Sequence, residues 1–203
     1  MPSVEIRGNT DLRKALRRFA PDLDKELRKE LTRALKPVVK AARGFVPVTS
    51  NIMHGWQPRS FSEARFPFYD YQTIVRGIGF TTAVSKPNKY GFTSNAQIFN
   101  KSAAGAIYET AGRLGQPQPW VGPKAGGSSH KVSRSNWEGA GAQFIDNLNR
   151  EPLISSLAGR GRLIYRAWAQ NRGIALGISM KAIDKAVTTF YARSNAGTLD
   201  KAA

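Results

Sequence analysis

The sequence predicts an α+β domain in which an antiparallel sheet is packed by a long N-terminal helix and a C-terminal helix, with extended arm and loop insertions. Three observations carry this. Leu12, Leu16, Phe19, Leu23, Leu27, Leu31, Leu35, Val38 and Ala42 recur at steps of three and four residues, the spacing of a helix with one buried face. From residue 71 the pattern changes to alternation, as a half-buried strand requires. Ile183, Val187, Phe190 and Tyr191 restore helical spacing near the end of the chain. The 203 residues suffice for one domain with a real core, 1–203, and no internal boundary is visible.

Taken in order, VEIR (4–7) reads as a short strand, and the following GNTD offers Asn9 or Thr10 as a helix cap. A short helix over 11–19 and a long one over 21–43 come next. Pro21 suits a first helical turn, with Asp22 and Asp24 at its positive end. Pro37 is expected to bend the long helix or break it. Residues 44–70 mix aromatics with prolines and read as an extended arm. Ile74, Arg76, Ile78 and Phe80 alternate with Val75, Gly77 and Gly79 as a strand, and SKPNKYG is turn chemistry. FTSNAQIFN alternates again, with Phe92, Ala96 and Ile98 on one face, and AGAIYE (104–109) reads as a third strand. The three form a meander with one face against the helices.

Residues 111–136 are a Gly/Pro-rich loop carrying Arg113, Lys124, Lys131 and Arg134 without an acid; loops of that length are usually functional. WEGAGAQFIDNLNR (137–150) returns to helix. ISMKAIDKAVTTFYAR (178–193) is the C-terminal helix, with Lys181, Asp184 and Lys185 on its wet side and an end at 195–197.

Charge is the strongest compositional signal. Thirty-one Lys and Arg face 14 Asp and Glu, a formal net charge of +17. Residues 1–30 hold only +2 of it and residues 31–203 the other +15. Such an excess implies a polyanionic neighbour, either nucleic acid or an acidic protein partner. No segment has the ~18 apolar residues of a membrane helix, and the polar N-terminus gives no expectation of a secretory signal. The absence of cysteine excludes disulfide and thiolate chemistry.

The bases are also ordered. Lys14 and Arg18, Lys25 and Lys29, Lys36 and Lys40 repeat every eleven residues, as do Leu12, Leu23 and Ala34. Eleven residues make about three helical turns, so both stripes run nearly straight provided the helix continues across Pro21. Lys14, Arg18, Lys25, Lys29, Lys36, Lys40, Arg43, Lys124, Lys131 and Arg134 are therefore candidate contacts to DNA or an acidic partner. A solvated face diluted by Asp22, Glu26 and Glu30 is the plainer alternative.

Signals for catalysis are poor. His54 and His130 lie far apart without neighbouring ligands, and the acids after residue 30 are scattered, whereas metal-dependent hydrolysis needs clustered donors. Phosphate-loop and nucleophile-elbow motifs are lacking. No cofactor, metal or catalytic residue is expected.

The order of parts resembles the tail-completion, or head–tail joining, proteins of long-tailed phages. Ala42, Arg43, Pro47 and Thr49 match the alanine-basic, proline and threonine steps that end the family's long helix, with Ser50 where glycine is usual. Tyr108, Glu109 and Gly112 match its aromatic–glutamate–glycine closure, and NKSAAGAIYETAGR is similar to connector proteins of phages of actinobacteria.

The resemblance implies a non-enzymatic virion protein made in the bacterial cytoplasm. It implies a ring of about six copies joining neighbouring neck and tail proteins, close to packaged double-stranded DNA. Trp56, Tyr108, Glu109, Arg113, Trp120 and Trp137 are the candidate subunit-interface residues. Glu109 would pair with an arginine of another copy or with Arg113 of its own chain. A tail terminator and a free, non-specific DNA-binding protein are the alternatives.

Overall fold

The computed structural model describes residues 3–7, 10–48, 69–91, 93–112, 140–156 and 159–197. Its order is β1 (Ser3–Arg7), α1 (Thr10–Phe19), α2 (Pro21–Gly44), α3 (Tyr71–Gly77), β2 (Ile78–Thr81), β3 (Ser94–Asn100), α4 (Ala103–Thr110), α5 (Ala140–Leu148), β4 (Ile154–Ser156), β5 (Gly159–Gly161) and α6 (Ile164–Asn195). The class is α+β, as the sequence predicts.

The main sheet has the order β1-β3-β2, antiparallel throughout. Val4 lies opposite Ile98 and Ile6 opposite Ala96, and Phe80 pairs Ile98 from the other side. The central strand is thus flanked by the N-terminal strand, not by the third strand of a meander. Ala96 and Ile98 are fully buried, the face read from the alternation. β4 and β5 form a separate two-stranded ribbon.

Two segments read as strands are helical. Asp70 caps α3, its carboxylate accepting the Thr73 N–H, and only at Ile78 does the backbone extend. Ser102 caps α4 in the same way through the Gly105 N–H, and Ala104, Gly105, Tyr108 and Glu109 turn inward. That spacing of one and four residues is helical. Four alternating positions fit one helical turn as readily as a strand, and here the caps decide.

α1 and α2 fall where the periodicity puts them, but they do not join. Ala20, at φ −152° and ψ 68°, separates them because the residue before a proline avoids helical geometry. The eleven-residue stripe is therefore split. Pro37 does not break α2, which runs 24 residues through it.

α6 is 32 residues long and starts well before the segment read from the sequence. Its buried line is Ala175, Ser179, Ala182 and Ala186, while Ile183, Val187 and Phe190 are half-buried and Tyr191 is 63% exposed. The small side chains let α6 approach α2 closely, and Ala182 and Ala186 cluster with Leu16, Leu23, Leu27 and Leu31. Arg193 pairs with Asp22 and Lys185 with Glu26. At the other end Arg166 lies 4.3 Å over the Phe45 ring. The two long helices thus run antiparallel, which sets opposite dipole ends side by side. Beyond Leu35, α2 joins the main core with Ile74, Ile78, Ile98, Tyr108, Leu148, Ile164 and Trp168.

Candidate functional site

The exposed face of α2 is a line of lysines. At 100° per residue Lys25, Lys29, Lys36 and Lys40 fall within an arc of about 60°. All four are exposed, and the buried residues Leu23, Leu27, Leu31, Ala34 and Val38 lie on the opposite side. The line extends about 22 Å along the helix axis, at 1.5 Å per residue.

The acids expected to dilute this line are taken up elsewhere. Asp22 pairs with Arg193, Glu26 with Lys185, Glu30 with Arg33, and Asp24 is buried among arginines. Among the described residues none of the four lysines has an ion-pair partner. Their charge faces solvent unneutralised, which the plainer alternative did not anticipate. Lys14 and Arg18 are exposed on α1, with Arg18 over the Phe19 ring at 5.2 Å. Arg43, also exposed, falls within the same arc beyond Lys40, but its Nε and Nη2 both donate to the Ile78 carbonyl at 3.1 and 2.7 Å and tie the end of α2 to β2.

At the elbow between α1 and α2 one carboxylate serves three guanidinium groups. Arg13 Nε donates to Asp24 Oδ1 at 3.0 Å, and Arg28 Nε and Nη2 donate to Oδ2 at 2.8 and 2.6 Å. Arg17 Nε lies 3.5 Å from the same oxygen. Arg13 is fully buried and also donates to the Thr82 and Asn95 carbonyls, joining the elbow to the sheet. A buried arginine was not anticipated, though Arg13 lies three residues from Leu16 on the apolar side of α1.

Glu109 is not a surface group. Its side chain is fully buried and accepts the N–H groups of Leu163, Ile164 and Tyr165. Leu163 offers no side-chain cap to α6, so Glu109, reaching from α4, supplies one at the positive end of that helix. Its burial leaves no room for the expected pairing with an arginine of another copy, and Arg113, the other expected partner, lies outside the described residues.

Tyr108 is likewise internal at 1% exposure, and burial pushes its phenol up to about 12, so it stays neutral. Neither residue presents its side chain as subunit interface. Arg162, also fully buried, donates to the carbonyls of Leu148, Glu151, Tyr108 and Ala111 and to Asn149 Oδ1. It locks α4, the end of α5 and the start of α6 together.

The backbone passes close to this cap. A Cβ on Gly161 would stand 2.2 Å from Glu109 Oε1, so Gly161→Ala is expected to displace the carboxylate and lower stability by about 2 kcal/mol. Gly177, mid-helix in α6, has nothing within 4 Å of such a Cβ. Gly177→Ala is expected to raise stability by up to about 1 kcal/mol through helix propensity alone. Thermal denaturation of the two variants, with shifts of opposite sign, checks both.

Trp56, Arg113, Trp120, Lys124, Lys131, Arg134 and Trp137 lie outside the described residues, as do most of the 44–70 arm and of the 111–136 loop. The two ends of the arm are held together, since the Tyr69 hydroxyl donates to the Pro47 carbonyl. Among the described residues no group of three metal-ligating side chains occurs, and no helix is long and apolar enough to cross a membrane. A shallow cleft of about 20 Å³ between α2 and α6, lined by Leu23, Leu27, Ala182 and Ala186 among others, is too small for a substrate. Comparison with known proteins finds no matching family model, no matching curated protein and no matching solved structure.

Proposed function

We propose that this chain is a non-enzymatic structural protein of the phage head–tail junction, of the tail-completion type. It acts as a ring of copies that joins the tail to the DNA-filled head. The observation that carries the reading is the lysine line of α2, whose neighbouring acids are drawn into intrachain pairs. A straight, unneutralised basic ridge on a rigid helix suits a surface that lies along a polyanion, here packaged DNA or an acidic neighbouring ring. The motif matches described above, Ala42, Arg43, Pro47 and Thr49 with Tyr108, Glu109 and Gly112, supply the neck assignment.

Quantitative mass spectrometry of purified particles tests it. A copy number matching one small ring, measured against the major tail-tube protein, supports the reading, and absence from the particle overturns it. Lys36→Glu with Lys40→Glu is expected to weaken head–tail joining severalfold while leaving the melting temperature within about 2 °C of wild type, because both side chains are exposed and unpaired. Unchanged joining in a reconstitution assay removes the ridge from the mechanism. The same ridge favours one second reading, a free DNA-binding protein, which requires strongly salt-dependent binding to random duplex and absence from virions.

A further inference from the structure

We propose that the elbow between α1 and α2 is a phosphate-binding site in which Arg17 and Arg28, set side by side by buried Asp24, grip one backbone phosphate of nucleic acid. The inference rests on reading the basic ridge as a polyanion surface, and it names a specific grip at the ridge's end. Three guanidinium groups converge on a single carboxylate, leaving two positive charges uncompensated within the cluster. Donors also exceed acceptors, and Arg13 Nη2 is buried with no partner at all. Arg13 itself is enclosed and serves as the anchor.

The other two are presented outward. The Arg17 and Arg28 side chains are 48% and 47% exposed while their Nε atoms are turned to Asp24 Oδ2, at 3.5 and 2.8 Å. A shared oxygen therefore fixes two half-exposed forks next to each other, and their remaining N–H groups are free for a tetrahedral anion. Arginine suits that task because its planar fork matches paired phosphate oxygens, and little rotamer freedom is lost when an ion pair already holds it. Arg28 follows Lys25 by three residues and so adjoins the lysine line. A strand lying along the ridge would deliver a phosphate to the elbow.

Fluorescence anisotropy with a labelled random duplex, titrated with salt, tests the site in the full chain. Arg17→Gln with Arg28→Gln is expected to weaken binding about tenfold near 0.1 M salt and to reduce the slope of log affinity against log salt by about 1, one phosphate contact. Arg28→Lys keeps a cation beside Asp24 and guards against misfolding. It should retain the wild-type melting temperature and still lose affinity, because an ammonium group lacks the fork.

Lys25, Lys29, Lys36 and Lys40 changed together to Gln report on the ridge separately. If that variant loses binding while the arginine variants bind as wild type, the elbow site is overturned and the ridge stands. If the wild-type chain binds no duplex, the elbow site is overturned and the ridge is left to an acidic neighbouring ring. Stabilisation by orthophosphate over chloride at equal ionic strength, abolished by Arg17→Gln with Arg28→Gln while duplex binding is unchanged, assigns the site to free phosphate and overturns the nucleic-acid assignment.

Discussion

Asp24→Ala is expected to lower stability by about 3–5 kcal/mol, the range for removing one partner of a buried ion pair. Arg13 would be left fully enclosed with its charge and without a counterion, while its bonds to the Thr82 and Asn95 carbonyls persist. Urea denaturation checks this through a lower midpoint at unchanged slope. A loss under 1 kcal/mol would show that the elbow is not held by this pair.

The same carboxylate gives a pH signature. Burial by itself would raise the Asp24 carboxyl, but hydrogen bonds from Arg28 and Arg13, with their charges, outweigh burial and hold it below the ordinary 3.8. A carboxyl depressed in the fold stabilises fully above its unfolded value and loses that contribution as pH falls through the folded one. Wild-type stability should therefore drop below about pH 4, and Asp24→Ala should lack that part of the decline.

Glu109→Ala is expected to cost about 3 kcal/mol, because three buried N–H donors at the start of α6 lose their acceptor at once. The same three amides are the readout. Hydrogen exchange at Leu163, Ile164 and Tyr165 should accelerate well beyond the change at Ala182 and Ala186, far along the same helix. Glu109→Gln keeps one acceptor but not the charge at a helix N-terminus, and should lose about half as much. Uniform acceleration along α6 would mean that Glu109 acts by packing and not as a cap.

How far these features could be read beforehand depends on whether their cause is local. α1, α2, β1 and β3 were legible because each declares itself through a long periodic run or a clear alternation. α3 and α4 were not, since seven and eight residues carry too few periods to separate helix from strand. Their caps, Asp70 with Thr73 and Ser102 with Gly105, were the signals to weigh. The first half of α6 was hidden by Gly173 and Gly177 and by apolar residues on several sides.

Of the candidate site, the lysine line was visible as a repeat. That Glu26 and Glu30 leave it unneutralised depends on Lys185 and Arg33, and the former pairing lies 159 residues away. Glu109 stands in the sequence as a candidate interface acid, but it accepts backbone amides 54 to 56 residues on, which no side-chain pattern announces. Arg162 gave no local sign of burial.

The pairing of α2 with α6 also bears on how the chain reaches its fold. Arg193 meets Asp22 across 171 residues of sequence, so the largest helix–helix contact among the described residues closes one of the longest loops the chain allows. Helical proteins usually refold fast because their contacts are local, whereas distant contacts impose the loop-closure penalty first. This helix-rich domain should therefore refold at the pace of a mixed α/β protein, with its two long helices docking late.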